Sequence, residues 1–273
     1  KFYKHILWRT VSIFMAGCFI HAYPFIQQDW DWSSFRYFGV LQRIAIAYGI
    51  SALLIIRYDF KQLLAIISGI LVFYWALLWL GGTGDPYGLE ENLVRKVDIF
   101  LFGEKHLYGG FGIPFDPEGL LSAIPSVGTV LIGYLMGGML HTTKNYTDCA
   151  KRMAIFGFGL IVVGWVWGLI FPINKAIWTS SYVLFTGGIA ALVLAGLTWL
   201  IDIKFWKRPF WVFEVFGTNS IFLFVASGLW AKTILYIKRD LNGEMVSAYN
   251  YLYKTIFVPF AGDLNGSLLF ALT

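Results

Sequence analysis

The sequence predicts an all-α integral membrane protein, a polytopic helical bundle with seven to eight spans. Three observations predict it. Of 273 residues, 58% are hydrophobic and only 14% charged, whereas a soluble domain carries about a quarter charged residues. The mean hydropathy is +0.66. Apolar runs recur at 6–26, 37–56, 63–82, 119–140, 153–173, 176–201 and 209–236, each near or above the ~20 residues a helix needs to cross the hydrocarbon layer. An eighth run opens near Leu264. The period-two alternation of a lipid-facing β-strand is not the pattern here.

Taken in order, the runs give one membrane domain, 1–273, without a linker. The chain starts at Lys1 without a methionine and ends at Thr273 inside an apolar run, so both ends read as truncations. No signal peptide is visible. Trp30, Trp32, Trp206 and Trp211 fall near span ends, where an aromatic belt is expected. The run 37–56 contains Gln42 and Arg43. A charge there is costly and marks a functional site by default, unless Arg43 lies near a helix end and snorkels to the interface. The loop 83–118 follows Gly81-Gly82-Thr83-Gly84-Asp85-Pro86, a strong turn signal. Within it Asn92–Phe102 reads as a short amphipathic helix, and loops beyond about 12–15 residues are often functional. Lys238–Lys254 is a second polar stretch on the same side. Gly133-x-x-x-Gly137 and Gly164-x-x-x-Gly168 fit close helix packing in lipid. No internal repeat of the transporter kind appears.

Charge sets the orientation. Lys1, Lys4, Arg57, Lys61, Lys144, Lys151, Arg152, Lys204, Lys207 and Arg208 collect on one side, against eight cations and more acids on the other. Lysine and arginine favour the cytoplasm, so Lys1 is expected there and loop 83–118 outside or in a lumen. Cys18 in a span and Cys149 in a polar loop suggest neither a disulfide framework nor a metal site. Phosphate-binding, serine-nucleophile and dinucleotide motifs are missing, and so is a basic–aromatic array for nucleic acid.

Four constellations could carry chemistry. Asp116-Pro117-Glu118-Gly119 opens a span. An Asp cap and a first-turn Pro suit a helix start, and Glu118 suits the helix dipole. The pair could equally hold an ammonium group or act as a base. Pro172–Ser181 crowds Asn174, Lys175, Trp178 and three hydroxyls into a short hairpin. It reads as a helix cap or as a sugar or phosphate contact. Thr218-Asn219-Ser220 places an amide and two hydroxyls in a span, suited to interhelical hydrogen bonds or to a site. His106 lies in the outer loop, as a loop residue or as a proton shuttle.

Five segments occur in a telling order: Gly39-Val40-Leu41-Gln42-Arg43-Ile44-Ala45, His106-Leu107-Tyr108, Asp116-Pro117-Glu118-Gly119, Pro172-Ile173-Asn174-Lys175-x-x-Trp178-x-x-Ser181-Tyr182 and Asn219-Ser220-Ile221. Their order and spacing resemble the heparan-alpha-glucosaminide N-acetyltransferase family and its bacterial relatives over nearly the whole chain. The resemblance implies a transmembrane N-acetyltransferase in a bacterial inner membrane. It would take acetyl from cytosolic acetyl-CoA, without a metal, to a glucosamine-type amine on the far side. It implies catalytic roles for Asp116, Asn219 and His106 and acetyl-CoA contacts for Gln42 and Arg43. Glu118, Asn174, Lys175, Trp178 and Ser220 would hold the amino sugar. The expected partners are that acceptor and membrane lipid, with a homodimer left open and nucleic acid excluded. The family's catalytic histidine lies upstream of the Gln-Arg span, in a segment expected to precede Lys1, so His5 and His21 are not cast in that role. A transporter or flippase for a sugar or lipid-linked glycan is the alternative, since intramembrane Arg and Asn suit it equally.

Overall fold

The computed structural model describes residues 2–24, 31–143, 145–241 and 243–272. Lys1, Trp30 and Lys144, used above, lie outside the described residues. The chain divides into two compact units, Lys1–His21 with Asp31–Gly217, and Ala22–Trp30 with Thr218–Thr273.

The first unit holds α1 (Phe2–Ala22), α2 (Val40–Arg57), α3 (Phe60–Gly81), α4 (Leu93–Phe102), α5 (Ala123–Thr142), α6 (Tyr146–Trp167), α7 (Ser180–Thr198) and α8 (Trp211–Thr218). Local chemistry marks the starts. Asp59 and Gln62 form a reciprocal capping box on α3. The Asn92 carboxamide accepts the Arg95 N–H to start α4, close to where the sequence puts an amphipathic helix. Asn145 caps α6 through the Thr147 N–H.

On α3, Leu63, Ile67, Leu71, Tyr74 and Leu78 are buried at three- and four-residue spacing, one stripe facing the bundle. Leu63, Ile67 and Leu71 pack with Val127, Leu131 and Leu135 of α5, Met153 of α6 and Val183 of α7. Small residues bring α6 and α7 together, though the expected spacing is corrected. A Cβ on Gly157 would stand 2.8 Å from Gly188 O, and one on Gly164 would stand 2.6 Å from Phe185 N, whereas Gly133 and Gly137 face open space. The residues that allow close backbone approach are therefore two turns apart on α6, opposite Phe185 and Gly188.

Among the described residues five helices are long and apolar enough to cross a membrane: α2, α3, α5, α6 and α7 with its continuation to Ile203. A sixth is added if Arg208–Thr218 and Ser220–Tyr236 form one broken span. The sequence suggests seven to eight. The difference lies at the two ends. The run 6–26 becomes α1, 21 residues long but with Lys4, His5 and Arg9 in its first turns. The run near Leu264 becomes α11 (Val258–Ala271), 14 residues long and interrupted at Gly262, where φ is 76°.

The second unit contains α9 (Ser220–Tyr236), strands β1 (Lys238–Leu241) and β2 (Glu244–Ser247), α10 (Ala248–Leu252) and α11. The strands pair antiparallel, with Lys238 opposite Ser247 and Leu241 opposite Glu244. The fold is mostly helical, as expected, and this short hairpin is an addition to it. Its sequence carries Asn242-Gly243, the strongest short-range hairpin signal, and Gly243 takes a φ of 87°.

A second apolar cluster sits beneath the loops that join α3 to α5 and α6 to α7. It joins Tyr74 and Leu78 of α3 to Val94 of α4, Phe115, Phe171 and Ile177. The residues following Phe115 and Ile177 are Asp116 and Trp178, so this cluster positions the polar site.

Candidate functional site

The site grows from two anchored positions. Phe115 and Ile177 are buried, and the Tyr74 hydroxyl donates to Ile177 O at 2.6 Å. Asp116, next in the chain, is itself only 1% exposed. Arg36 meets it with two parallel hydrogen bonds, Nε to Oδ2 and Nη2 to Oδ1, both 2.7 Å. The same Nη2 reaches Glu118 Oε2 at 2.7 Å. This is the planar fork geometry that makes arginine–carboxylate pairs strong. Burial pulls the Arg36 guanidinium down, but the hydrogen bond and charge of Asp116, with those of Glu118, outweigh it and hold Arg36 above its ordinary value.

Arg43 joins from the other side. It lies in the first turn of α2 and is 5% exposed. It sits near a helix end, as the snorkelling reading has it, yet it faces inward. Its Nη2 lies 3.6 Å from Glu118 Oε1 and donates to Pro117 O. The guanidinium stands 4.2 Å from the centre of the Trp178 ring, and Arg36 stands 4.8 Å from that of Tyr108, both cation–π distances. A cation at a helix N-terminus opposes the helix dipole, so Glu118 and the Trp178 face stabilise Arg43 where it sits. Arg43 Nε and Gln42 Oε1 are buried with no partner among the described residues. The Gln42 amide donates to Cys18 Sγ at 3.7 Å.

Trp178 adopts a φ of 50°, a region non-glycine residues rarely enter. Its indole N–H donates to Thr129 Oγ1 at 3.3 Å. The hydroxyls of that hairpin are committed to backbone carbonyls, two of its own and one on α3. Thr179, Ser180 and Ser181 are fully buried and donate to Pro172 O, Leu71 O and Phe171 O at 2.9, 2.7 and 2.6 Å. The crowd of hydroxyls that suggests a sugar contact thus holds the turn. Asn174 Oδ1 accepts the Ala176 N–H at 2.8 Å, and Lys175 is exposed. The His106 Nδ1–H donates to Phe35 O at 2.6 Å, and its ring stacks on Tyr37 at 4.6 Å. His106 therefore ties the outer loop to the residue before Arg36. Asn219 and Ser220 belong to the second unit, where Asn219 Nδ2 donates to Thr218 Oγ1 at 3.1 Å.

Of the residues singled out by sequence, Arg43, Asp116, Glu118 and Trp178 come together. Two partners are new. Arg36 reads in the sequence only as a loop charge; its signal is a cation closely preceding Gln42-Arg43. Asp98 reads only as a loop acid, yet it lies four residues after the buried Val94 on the same face of α4. Its Oδ1 accepts the Leu120 N–H at 3.1 Å, and its Oδ2 is buried without a partner among the described residues. Burial, with the Asp116 charge, pushes its carboxyl from 3.8 up to about 7 against the pull of the Leu120 N–H. No group of three or more metal-ligating side chains forms among the described residues.

Fold and site together define a class: a helical protein with several helices long enough to cross a membrane and a charge-paired cluster where α2, α5 and α7 begin. The chain is distantly related to heparan-alpha-glucosaminide N-acetyltransferase. It is 25% identical over 275 residues to that protein from Homo sapiens, covering 81% of this chain and 41% of the relative. To the Mus musculus protein of the same name it is 26% identical over 282 residues, covering 82% and 42%. The chain thus spans about two fifths of the length of the curated relatives it matches. No family model matches it.

Proposed function

We propose that this chain is the core of a membrane-bound acyltransferase, acting as one domain with seven to eight spans. It would move acetyl from cytosolic acetyl-CoA to a glucosamine-type amine across a bacterial inner membrane, with the α1 start cytoplasmic. The observation that carries the reading is a buried arginine with an unpartnered donor, Arg43 Nε, beside two carboxylates and an indole face. A buried polar atom left unsatisfied is costly, and an incoming carbonyl oxygen would relieve that cost. The distant relatives' name supplies the reaction class.

Acetyl transfer needs a neutral amine, a stabilised oxyanion and two substrates held in register. The amine nitrogen attacks the thioester carbonyl, the C–S bond breaks, and the amine's surplus proton leaves to a base. Glu118 and the Trp178 ring would hold the sugar, with Asn174 and Lys175 at its periphery. Asp116 would orient the amine from its place against Arg36, while Arg43 and Gln42 face the thioester. His106 would move protons at the rim. Calorimetry of acetyl-CoA against the purified full-length protein, with Arg43→Ala alongside, tests this. Micromolar binding weakened by the substitution supports the reading. A well-folded protein that does not bind sinks it.

A further inference from the structure

The cluster's charges balance without Asp98. Arg36 and Arg43 offset Asp116 and Glu118, and no cation pairs with Asp98 among the described residues. The groups around it confirm its isolation. From α3 comes the Tyr74 phenol, and from the segment before α5 comes Asp116, a like charge. On α4 itself, Arg95 turns to Pro114 O and Lys96 to Thr83 Oγ1. In the turn after α4, Glu104 and Lys105 are exposed and His106 is held on Phe35 O. Asp98 is fully buried. One oxygen grips the Leu120 N–H, and the other is bare. Gly119 lies so close that an added Cβ would collide with the Asp98 carboxyl. The glycine of Asp-Pro-Glu-Gly thus leaves room for this acid, and the acid fixes the peptide next to Glu118.

We propose that Asp98 is a positioning residue that carries the proton balance of the cluster. Its carboxyl is protonated while Asp116 and Glu118 face only Arg36 and Arg43. When a protonated amine joins them, the Asp98 O–H bond breaks and the proton leaves to water. The charge count then closes again, three cations against three anions. This rests on the amino-sugar reading above. A group that binds its proton more weakly once a cation arrives couples ligand affinity to pH. A carboxyl titrating at about 7 places that coupling near neutrality.

The experiment titrates glucosamine into the full-length protein and its Asp98→Asn variant by calorimetry at about pH 6, in two buffers of different ionisation enthalpy. The wild type should release on the order of half a proton or more per glucosamine bound, and the variant none. In parallel, an infrared difference spectrum between wild type and variant should show a protonated-carboxyl band at about pH 6 that fades by about pH 8. Equal proton release from both proteins, or no such band in the wild type, overturns the inference. Heat without proton release from the wild type likewise overturns it and leaves the amino-sugar reading standing. No heat from a well-folded protein whose band still titrates removes the amino-sugar reading and the coupling with it.

Discussion

Two short loops of the first unit, 115–119 and 171–181, look alike as sequence, each crowded with polar groups where a helix begins. Their structures are opposite. In the second, Thr179, Ser180 and Ser181 all donate to backbone carbonyls, so its hydroxyls are used up in making the turn and tying it to α3. In the first, the polar groups are charges brought from far apart in the chain, Arg36 to Asp116 and Arg43 to Glu118. Unpartnered atoms remain around it on Arg43, Gln42 and Asp98. Density of donors therefore does not mark a site. Buried charge that is paired but incompletely satisfied does, because such an arrangement is costly unless a ligand completes it.

The contrast can be broken in four places. Arg36→Ala leaves Asp116 buried without its partner and should cost about 3–5 kcal/mol of stability, read as a lowered unfolding temperature in detergent; a loss near zero would mean that the pair is not formed. Asp98→Asn should act with a pH signature. Wild-type Asp98 holds its proton more tightly folded, at about 7, than at its ordinary 3.8. Wild-type stability therefore falls relative to the variant as pH rises through that window, by up to roughly 4 kcal/mol, and the two converge below about pH 4. Parallel melting curves across that range would contradict this. Thr179→Ala in the other loop should cost about 1–3 kcal/mol, because it leaves buried backbone groups unsatisfied, while acetyl-CoA affinity stays unchanged. Lys175→Ala, at an exposed position, should change stability by less than about 0.5 kcal/mol; any effect on glucosamine affinity would then report direct contact.

Much of the fold is legible because apolar periodicity is local. The five apolar helices and the capping of α4 follow from composition and caps, whereas α5 begins at Ala123, four residues beyond the Asp-Pro-Glu-Gly motif expected to open it, because that motif is turned into the charge cluster instead. The hairpin of the second unit was marked by Asn242-Gly243 and was hidden by the surrounding polar stretch. The site is legible only in part. Arg43, Asp116, Glu118 and Trp178 stand out because each breaks an apolar or turn pattern. Arg36 and Asp98 do not stand out, since a charge in a loop is ordinary until tertiary structure buries it. Asp98 left a trace, an acid four residues from Val94 on the inner face of an amphipathic helix. Gly119 left none, since its role depends on a carboxyl 21 residues upstream.

The most direct test is transfer itself. Purified full-length protein in lipid vesicles is given acetyl-CoA with a labelled acetyl group on the α1-start side and glucosamine on the other, with Glu118→Gln as the comparison. The charge cluster predicts labelled N-acetylglucosamine from the wild type and at least a tenfold loss in the variant, about 1.4 kcal/mol of transition-state stabilisation. Equal transfer by both proteins would remove the cluster from the reaction. Glucosamine crossing the membrane unacetylated would show a transporter instead.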